Sequence, residues 1–296
     1  MAGIKELRLR IKALKNSSKI TAAMKMVSAA KLKKSQDAYS RARPYTERME
    51  EMLARVLRAV DVSEHPLAKP RDLRKIRYVV VSSDRGLCGG FNNNLFKAFL
   101  RRPADHDPVE ALGVGRRAHD FFARLLDISR VSWEASNTPV YSNASLIAQH
   151  LIRDYLDGKC DKVVLVYNRF RSVLSQQPVF VPLLPFSLSG SDVGAGLNPA
   201  LTNAATAGMR DDYFLEPDAE ALFAELLPKL VELQVFRGLL ENAVGEHSAR
   251  MTAMENATKN TKDLINSLTL TMNRARQAAI TRELIEIVSG AETLKG

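Results

Sequence analysis

Cysteine is nearly absent. Cys88 and Cys160 are the only two in 296 residues. That excludes a disulfide-built scaffold and suits a reducing compartment, with each thiol read as a small buried apolar side chain. No apolar run reaches the ~18 residues of a membrane span, so the chain is expected to be peripheral to any membrane it serves. Glycine and proline number only 15 and 12 against 46% hydrophobic residues, a composition that folds. The five histidines (His65, His106, His119, His150, His247) show no His-Glu-x-x-His spacing. No Gly-x-Ser-x-Gly elbow and no paired carboxylates stand out either. A metal centre and ordinary enzymatic catalysis are therefore disfavoured, and no cofactor is expected.

Acidic residues are scarce where basic ones crowd. Residues 1–58 hold fifteen Lys/Arg against five Asp/Glu, so the whole net charge of +10 lies in this first segment. Such a block seeks an acidic partner: nucleic acid, an anionic membrane surface or an acidic protein. Aromatic residues are missing from the first 38 positions. This weighs against a nucleic-acid site, where stacking side chains interleave with basic ones. The basic, acid-poor start also resembles a transit peptide, but the helical pattern runs well past residue 30 and reads as mature protein.

Three zones follow along the chain. In residues 1–60, Ile4, Leu7, Ile11 and Leu14 recur at steps of three and four. The register continues through Ser18 and Thr21 and is expected to drift to Met24, Val27 and Ala30. Pro44 should kink or break this helix. Residues 72–200 alternate strands ("IRYVVVSS", "VEALGVG", "ISRVSW", "KVVLVYNRF", "PVFVPLLPF") with helices ("FNNNLFKAFLRR", "RRAHDFFARLL", "SNASLIAQHLIRDYLDG", capped by Ser142 or Asn143). This predicts a largely parallel sheet covered by helices. Residues 187–212 read as a flexible connection. From residue 213 to 290 a helix carries a seam of strict 4,3 alternation from Leu226 to Ala279, apolar at twelve of sixteen positions. That persistence calls for a coiled coil. His247, on the seam, is a register residue.

Helix lengths constrain the arrangement. At 1.5 Å per residue the C-terminal helix spans roughly 110 Å and the N-terminal zone at most roughly 85 Å. The simplest fold is α/β plus a long antiparallel α-helical coiled coil. A Rossmann-like α/β domain (72–200) is inserted between the N-terminal helix (1–60) and the C-terminal helix (213–290). The longer helix outruns its partner, and its last turns are apolar on more than one side (Ala278, Ile280, Leu284, Ile285, Ile287, Val288). A bare helix of that kind needs a protein sheath.

The stretch "VVVSSDRGLCGGFNNNLF" (79–96) has the strand–glycine–helix order of a phosphate cradle. It lacks the Walker lysine, and its Gly-x-x-Gly-Gly spacing differs from the dinucleotide fingerprint. A nucleotide site, a structural turn and a protein-contact loop all remain open on these residues alone. Arg85 favours an acidic surface, since its fork of donors suits carboxylates.

Three separated segments carry a family resemblance: "KITAAMKMVSAAKLKK" (19–34), "SSDRGLCGGFN" (82–92) and "RARQAAITRELIEIVSGA" (274–291). Together they resemble the gamma subunit of F-type ATP synthases of bacterial type. The resemblance implies a non-catalytic central rotor stalk. Its partners would be three alpha and three beta subunits, the epsilon subunit and the membrane c ring, with no nucleic acid. It implies beta-subunit contacts at Met24, Lys25, Arg85, Cys88, Arg276, Gln277, Thr281 and Glu283, and c-ring contact at Tyr213 and Glu216. The expected location is peripheral, on the cytoplasmic face of the bacterial plasma membrane. The inserted cysteine pair of chloroplast-type gamma subunits is missing, so that redox switch is not expected.

Overall fold

The computed structural model describes residues 3–56, 60, 65–69, 71–102, 109–123, 139–186, 216 and 218–293. Tyr213, the strand expected at 128–133 and the connection 187–212 lie outside them. The described elements are α1 (Ile4–Val56), β1 (Ile76–Val81), α2 (Phe91–Leu100), β2 (Val109–Val114), α3 (Arg116–Phe122), α4 (Tyr141–Leu156), β3 (Lys162–Phe170), β4 (Gln176–Leu184) and α5 (Ala219–Thr293). They form two compact units. One is Met1–Ser28 with Met251–Gly296, the other Ala29–Arg250.

The larger unit is built on a four-stranded sheet of order β2-β1-β3-β4. β1 is parallel to both β2 and β3, with Val79 opposite Leu112 on one side and Leu165 on the other. Every residue of β1 is buried, as a central strand requires when both sheet faces are covered; all are apolar or aromatic except Arg77. β2, β1 and β3 are mutually parallel, as expected, while the edge strand β4 pairs antiparallel with β3 and makes the sheet mixed. The short connection from Phe170 to Gln176 closes a hairpin, its turn tied by Ser175 N–H to Ser172 O at 3.2 Å. A parallel return would need a crossover of a dozen or more residues.

Alternate strand residues feed two cores. Val79, Val81, Leu165 and Leu183 join Ile147 and Leu151 of α4, Leu53 of α1, and Leu227, Leu230 and Val231 of α5. Tyr78, Val80 and Val166 face Leu95, Phe96 and Phe99 of α2 and Phe122 of α3. Gly238 lets α5 lie close on the sheet, because a β-carbon there would stand 2.8 Å from Leu165 Cδ2. One buried charge joins three elements. Arg77 of β1 donates to Asp154 of α4 and, at 2.6 Å, to Glu110 of β2. Lys159 Nζ donates to the second Asp154 oxygen at 2.9 Å. Burial pushes the Asp154 carboxyl up, but the hydrogen bonds from Lys159 and Arg77 outweigh it and hold it below the ordinary aspartate value.

One expected helix break and one expected cap are not found. α1 continues through Pro44. A proline inside a helix costs about 3 kcal/mol, but the next turns bury Thr46, Met49, Glu50, Leu53 and Val56, which holds the helix together. α4 starts at Tyr141 with no side-chain cap. Neither Ser142 nor Asn143 caps it; Asn143 N–H bonds the Val140 carbonyl at 3.2 Å.

In the smaller unit the start of α1 lies antiparallel to the end of α5. Thr21 Oγ1 and Thr258 Oγ1 are 2.7 Å apart, and Lys25 Nζ donates to Glu255 at 2.5 Å. From 251 onward the seam positions Met251, Met254, Thr258, Thr261, Ile265, Leu268 and Met272 are buried or half-buried, while 255, 256, 259, 260, 262–264, 266 and 267 are exposed. The expected drift of the α1 stripe does not occur. Val27 is 57% exposed and Ser28 only 3%. The buried or half-buried positions run Thr21, Lys25, Ser28, Leu32, Ser35, Tyr39, Ala42, Thr46, Met49, Leu53, Val56, still alternating steps of four and three. Lysine and serine occupy the seam there, so hydrophobicity alone loses the trail.

Candidate protein-contact site

The glycine-rich loop starts where β1 ends, and each of its inner groups is tied down. Ser82 N–H bonds Val114 O at 2.8 Å. Ser82 Oγ accepts the Ala118 N–H at 2.8 Å, and its carbonyl accepts from Asn242 Nδ2 of α5 at 3.2 Å. Ser83 N–H donates to Asn92 Oδ1 at 3.2 Å, while Ser83 Oγ donates to Arg85 O at 2.7 Å. Asn92 Nδ2 reaches back to Ser83 Oγ at 2.8 Å and Cys88 Sγ at 3.3 Å. Asp84 Oδ1 accepts the Arg116 N–H at the start of α3 at 3.1 Å.

Arg250 of α5 braces the loop from the other side. Its Nε donates to Gly86 O and its Nη2 to Arg85 O, both at 3.2 Å. The same Nη2 meets Glu246 Oε1 at 2.7 Å, and Nη1 lies 3.4 Å from His247 Nδ1. Glu246, His247 and Arg250 are all buried. Burial raises the Glu246 carboxyl, with Arg250 opposing. This is a charged strut in low dielectric, where a hydrogen bond to an ion is strong.

What the loop shows outward differs from what it holds inside. The Arg85 side chain is exposed, as its residue type led one to expect. Cys88 is 3% exposed, so its thiol packs inside the loop. Its pKa is raised, first by burial, with Arg250 pulling the other way. Cys160 is pushed up to about 11 by burial. Both thiols are poor nucleophiles. The turn itself needs left-handed backbone at Leu87 (φ 63°) and Gly89 (φ 60°).

The remaining expected beta-subunit contact residues fall in the smaller unit. Met24 is half-buried, and the Lys25 ammonium is engaged by Glu255 of its own chain. Arg276, Gln277, Thr281 and Glu283 are exposed, with Thr281 Oγ1 bonded to Gln277 O at 3.0 Å. Glu216 is exposed. Arg250, Glu246, Asn242 and Asn92 escaped sequence reading. A Glu–Arg pair at i, i+4 within the seam helix was the available signal, but it looks the same as an ordinary surface pair.

Among the described residues there is no group of three or more His, Cys, Asp or Glu of the kind that holds a metal ion, and no helix is long and apolar enough to cross a membrane.

Fold and loop together define a class: a mixed α/β sheet that lies in sequence between two long terminal helices, with a braced loop whose Arg85 is exposed. A family model described as ATP synthase matches residues 3–294. ATP synthase gamma chains of Trichlorobacter lovleyi and Desulforamulus reducens are 42% and 43% identical, each over 100% of both chains. That of Anaeromyxobacter sp. is 45% identical over 100% of both chains. In solved structures, a chain of the Euglena gracilis mitochondrial ATP synthase OSCP/F1/c-ring assembly has a TM-score of 0.67 at 20% identity, covering 98% of this chain and 94% of that one. A chain of the rotor of the same synthase has a TM-score of 0.64 at 20% identity, covering 94% and 98%. The chain belongs to the ATP synthase gamma chain family.

Proposed function

We propose that this chain is the central-stalk subunit of a proton-translocating rotary ATP synthase. It transmits rotation of the membrane c ring to catalytic beta subunits and so couples proton flow to ATP synthesis and hydrolysis. It is itself non-catalytic. The observation that carries this reading is full-length identity of 42% and 45% to gamma chains. The loop wiring agrees with it. The Arg85 and Gly86 carbonyls turn toward a guanidinium and the Ser83 amide toward Asn92. Those groups brace a turn, where a phosphate cradle would leave its amides for the ligand.

The paired ends of α1 and α5 act as an antiparallel coiled coil inside a ring of three alpha and three beta subunits. The exposed apolar tip (Ile280, Leu284, Ile285, Ile287, Val288) is sheathed by that ring, and Arg276, Gln277, Thr281 and Glu283 supply its polar contacts. Met24 and the exposed stem of Lys25 face the ring lower down. Arg85 meets an acidic lever of a beta subunit. The Rossmann-like unit, with the epsilon subunit, sits on the c ring through the segment containing Tyr213 and Glu216. The complex lies on the cytoplasmic face of a bacterial plasma membrane. Affinity capture of the tagged chain from a detergent extract of membranes tests the reading. Alpha, beta and c subunits should co-purify, and their absence would overturn it.

A further inference from the structure

Leu87 is the residue of the contact loop that its own chain rewards least. Its backbone stands at φ 63°, a region that a side chain makes uphill and that glycine or asparagine occupies more readily. Its side chain is 63% exposed, and nothing among the described residues buries it. The loop does not leave Leu87 free to relax. Ser83 and Asn92 hold the strand side, Cys88 is buried immediately after it, and Arg250 grips the Arg85 and Gly86 carbonyls immediately before it. A rigid turn that points an apolar side chain into water, at a position where glycine would fit with less strain, keeps that side chain for something outside the chain.

The surroundings say what that is. Arg85 is exposed beside it, and Arg117 is exposed with its Nη2 2.8 Å from where a β-carbon on Gly86 would stand. The Arg116 side chain is 80% exposed. Asp84 accepts the Arg116 N–H and Asp120 lies 4.0 Å from the Arg116 Nε, so Leu87 is an apolar knob in a rim where three arginines outnumber two carboxylates. We propose that Leu87 is the anchor of this contact, seated in an apolar recess of a protein surface whose rim carries carboxylates, with Arg85, Arg116 and Arg117 meeting that rim. This rests on the reading of the chain as a rotor subunit and adds the residue through which the loop engages its partner. Central, desolvated anchors with charged surrounds are the usual energetic pattern of protein contacts.

The test uses the full chain in the assembled complex. Leu87→Gly and Leu87→Asn both suit the left-handed backbone, so the isolated chains should melt at or above the parent's temperature. In membrane vesicles the same variants should pump at least threefold fewer protons per ATP hydrolysed, or fail to assemble, while Leu87→Met retains most of the parent's coupling. Parent-like coupling in assembled Gly and Asn variants would overturn the anchor role and leave the rotor reading intact. Failure of the unsubstituted chain to co-purify with alpha, beta and c subunits would overturn the rotor reading, and the anchor with it.

Discussion

The two halves of α5 share one heptad seam and live in different surroundings. From Leu226 to Arg250 nearly every position is buried or half-buried, because the sheet, α4 and the second half of α1 all pack on it. From Glu255 onward only a stripe is covered, since a single helix provides the cover. Polar groups therefore mean different things in each half. Glu246 and Arg250 in the first are a buried strut. Lys25 and Glu255 in the second, with side chains 40% and 55% exposed, form a solvated pair. The same sequence pattern is all-round core in one half and a narrow seam in the other.

Substitutions can break that contrast, starting with the strut. Arg250→Met strands the Glu246 carboxylate in low dielectric and releases the Arg85 and Gly86 carbonyls. A loss of about 3–5 kcal/mol is expected, read by denaturant unfolding of the full chain. Arg250→Lys should recover part of it, since a point charge replaces a fork.

Asp154→Asn removes the carboxylate that compensates buried Arg77, and a loss of about 3 kcal/mol is expected. The wild-type group also predicts acid lability. Its folded-state pKa lies below the ordinary 3.8. Its contribution is thus complete above the unfolded aspartate range and is lost as pH falls through the folded-state value. Melting temperature followed from pH 6 downward should drop less steeply in Asp154→Asn than in the parent.

Gly238→Ala places a methyl 2.8 Å from Leu165 Cδ2. Overpacking costs about 1–3 kcal/mol, and the better helix propensity returns about 1 kcal/mol. The expected net effect is a destabilisation of about 1 kcal/mol in the same unfolding measurement. The smallest changes belong to the second half of α5. Lys25→Ala should move stability by no more than about 0.5 kcal/mol, as exposed pairs do. Ile287→Ser should leave the melting of the isolated chain unchanged while lowering the yield of assembled complex. A shift of several degrees in the isolated chain would mean that the tip is covered by this chain after all.

Much of this was legible in advance. The mostly apolar run of β1, the glycine punctuation after it and the α5 seam are local signals, and the elements stand where those signals put them. The α1 stripe was lost at Lys25 and Ser28, since seam positions there hold polar residues and periodicity was read from hydrophobicity. Cys88 is buried, as a small apolar thiol is expected to be, but its partners Asn92 and Ser83 were not visible in the pattern. Arg250 was invisible because the carbonyls it holds are 164 and 165 residues away in the chain.

By itself the sequence determined most of the described helices and strands, the heptad seam of α5 and the basic character of the first segment. Those properties depend on spacing of three, four or two residues, which no distant contact can alter. Tertiary structure alone decided that Lys25 turns to Glu255, that Arg250 braces the loop, that β4 runs antiparallel and that Leu87 is held outward at positive φ. The free energy of a charge or a strained backbone depends on what surrounds it, and those neighbours come from segments far apart in the chain.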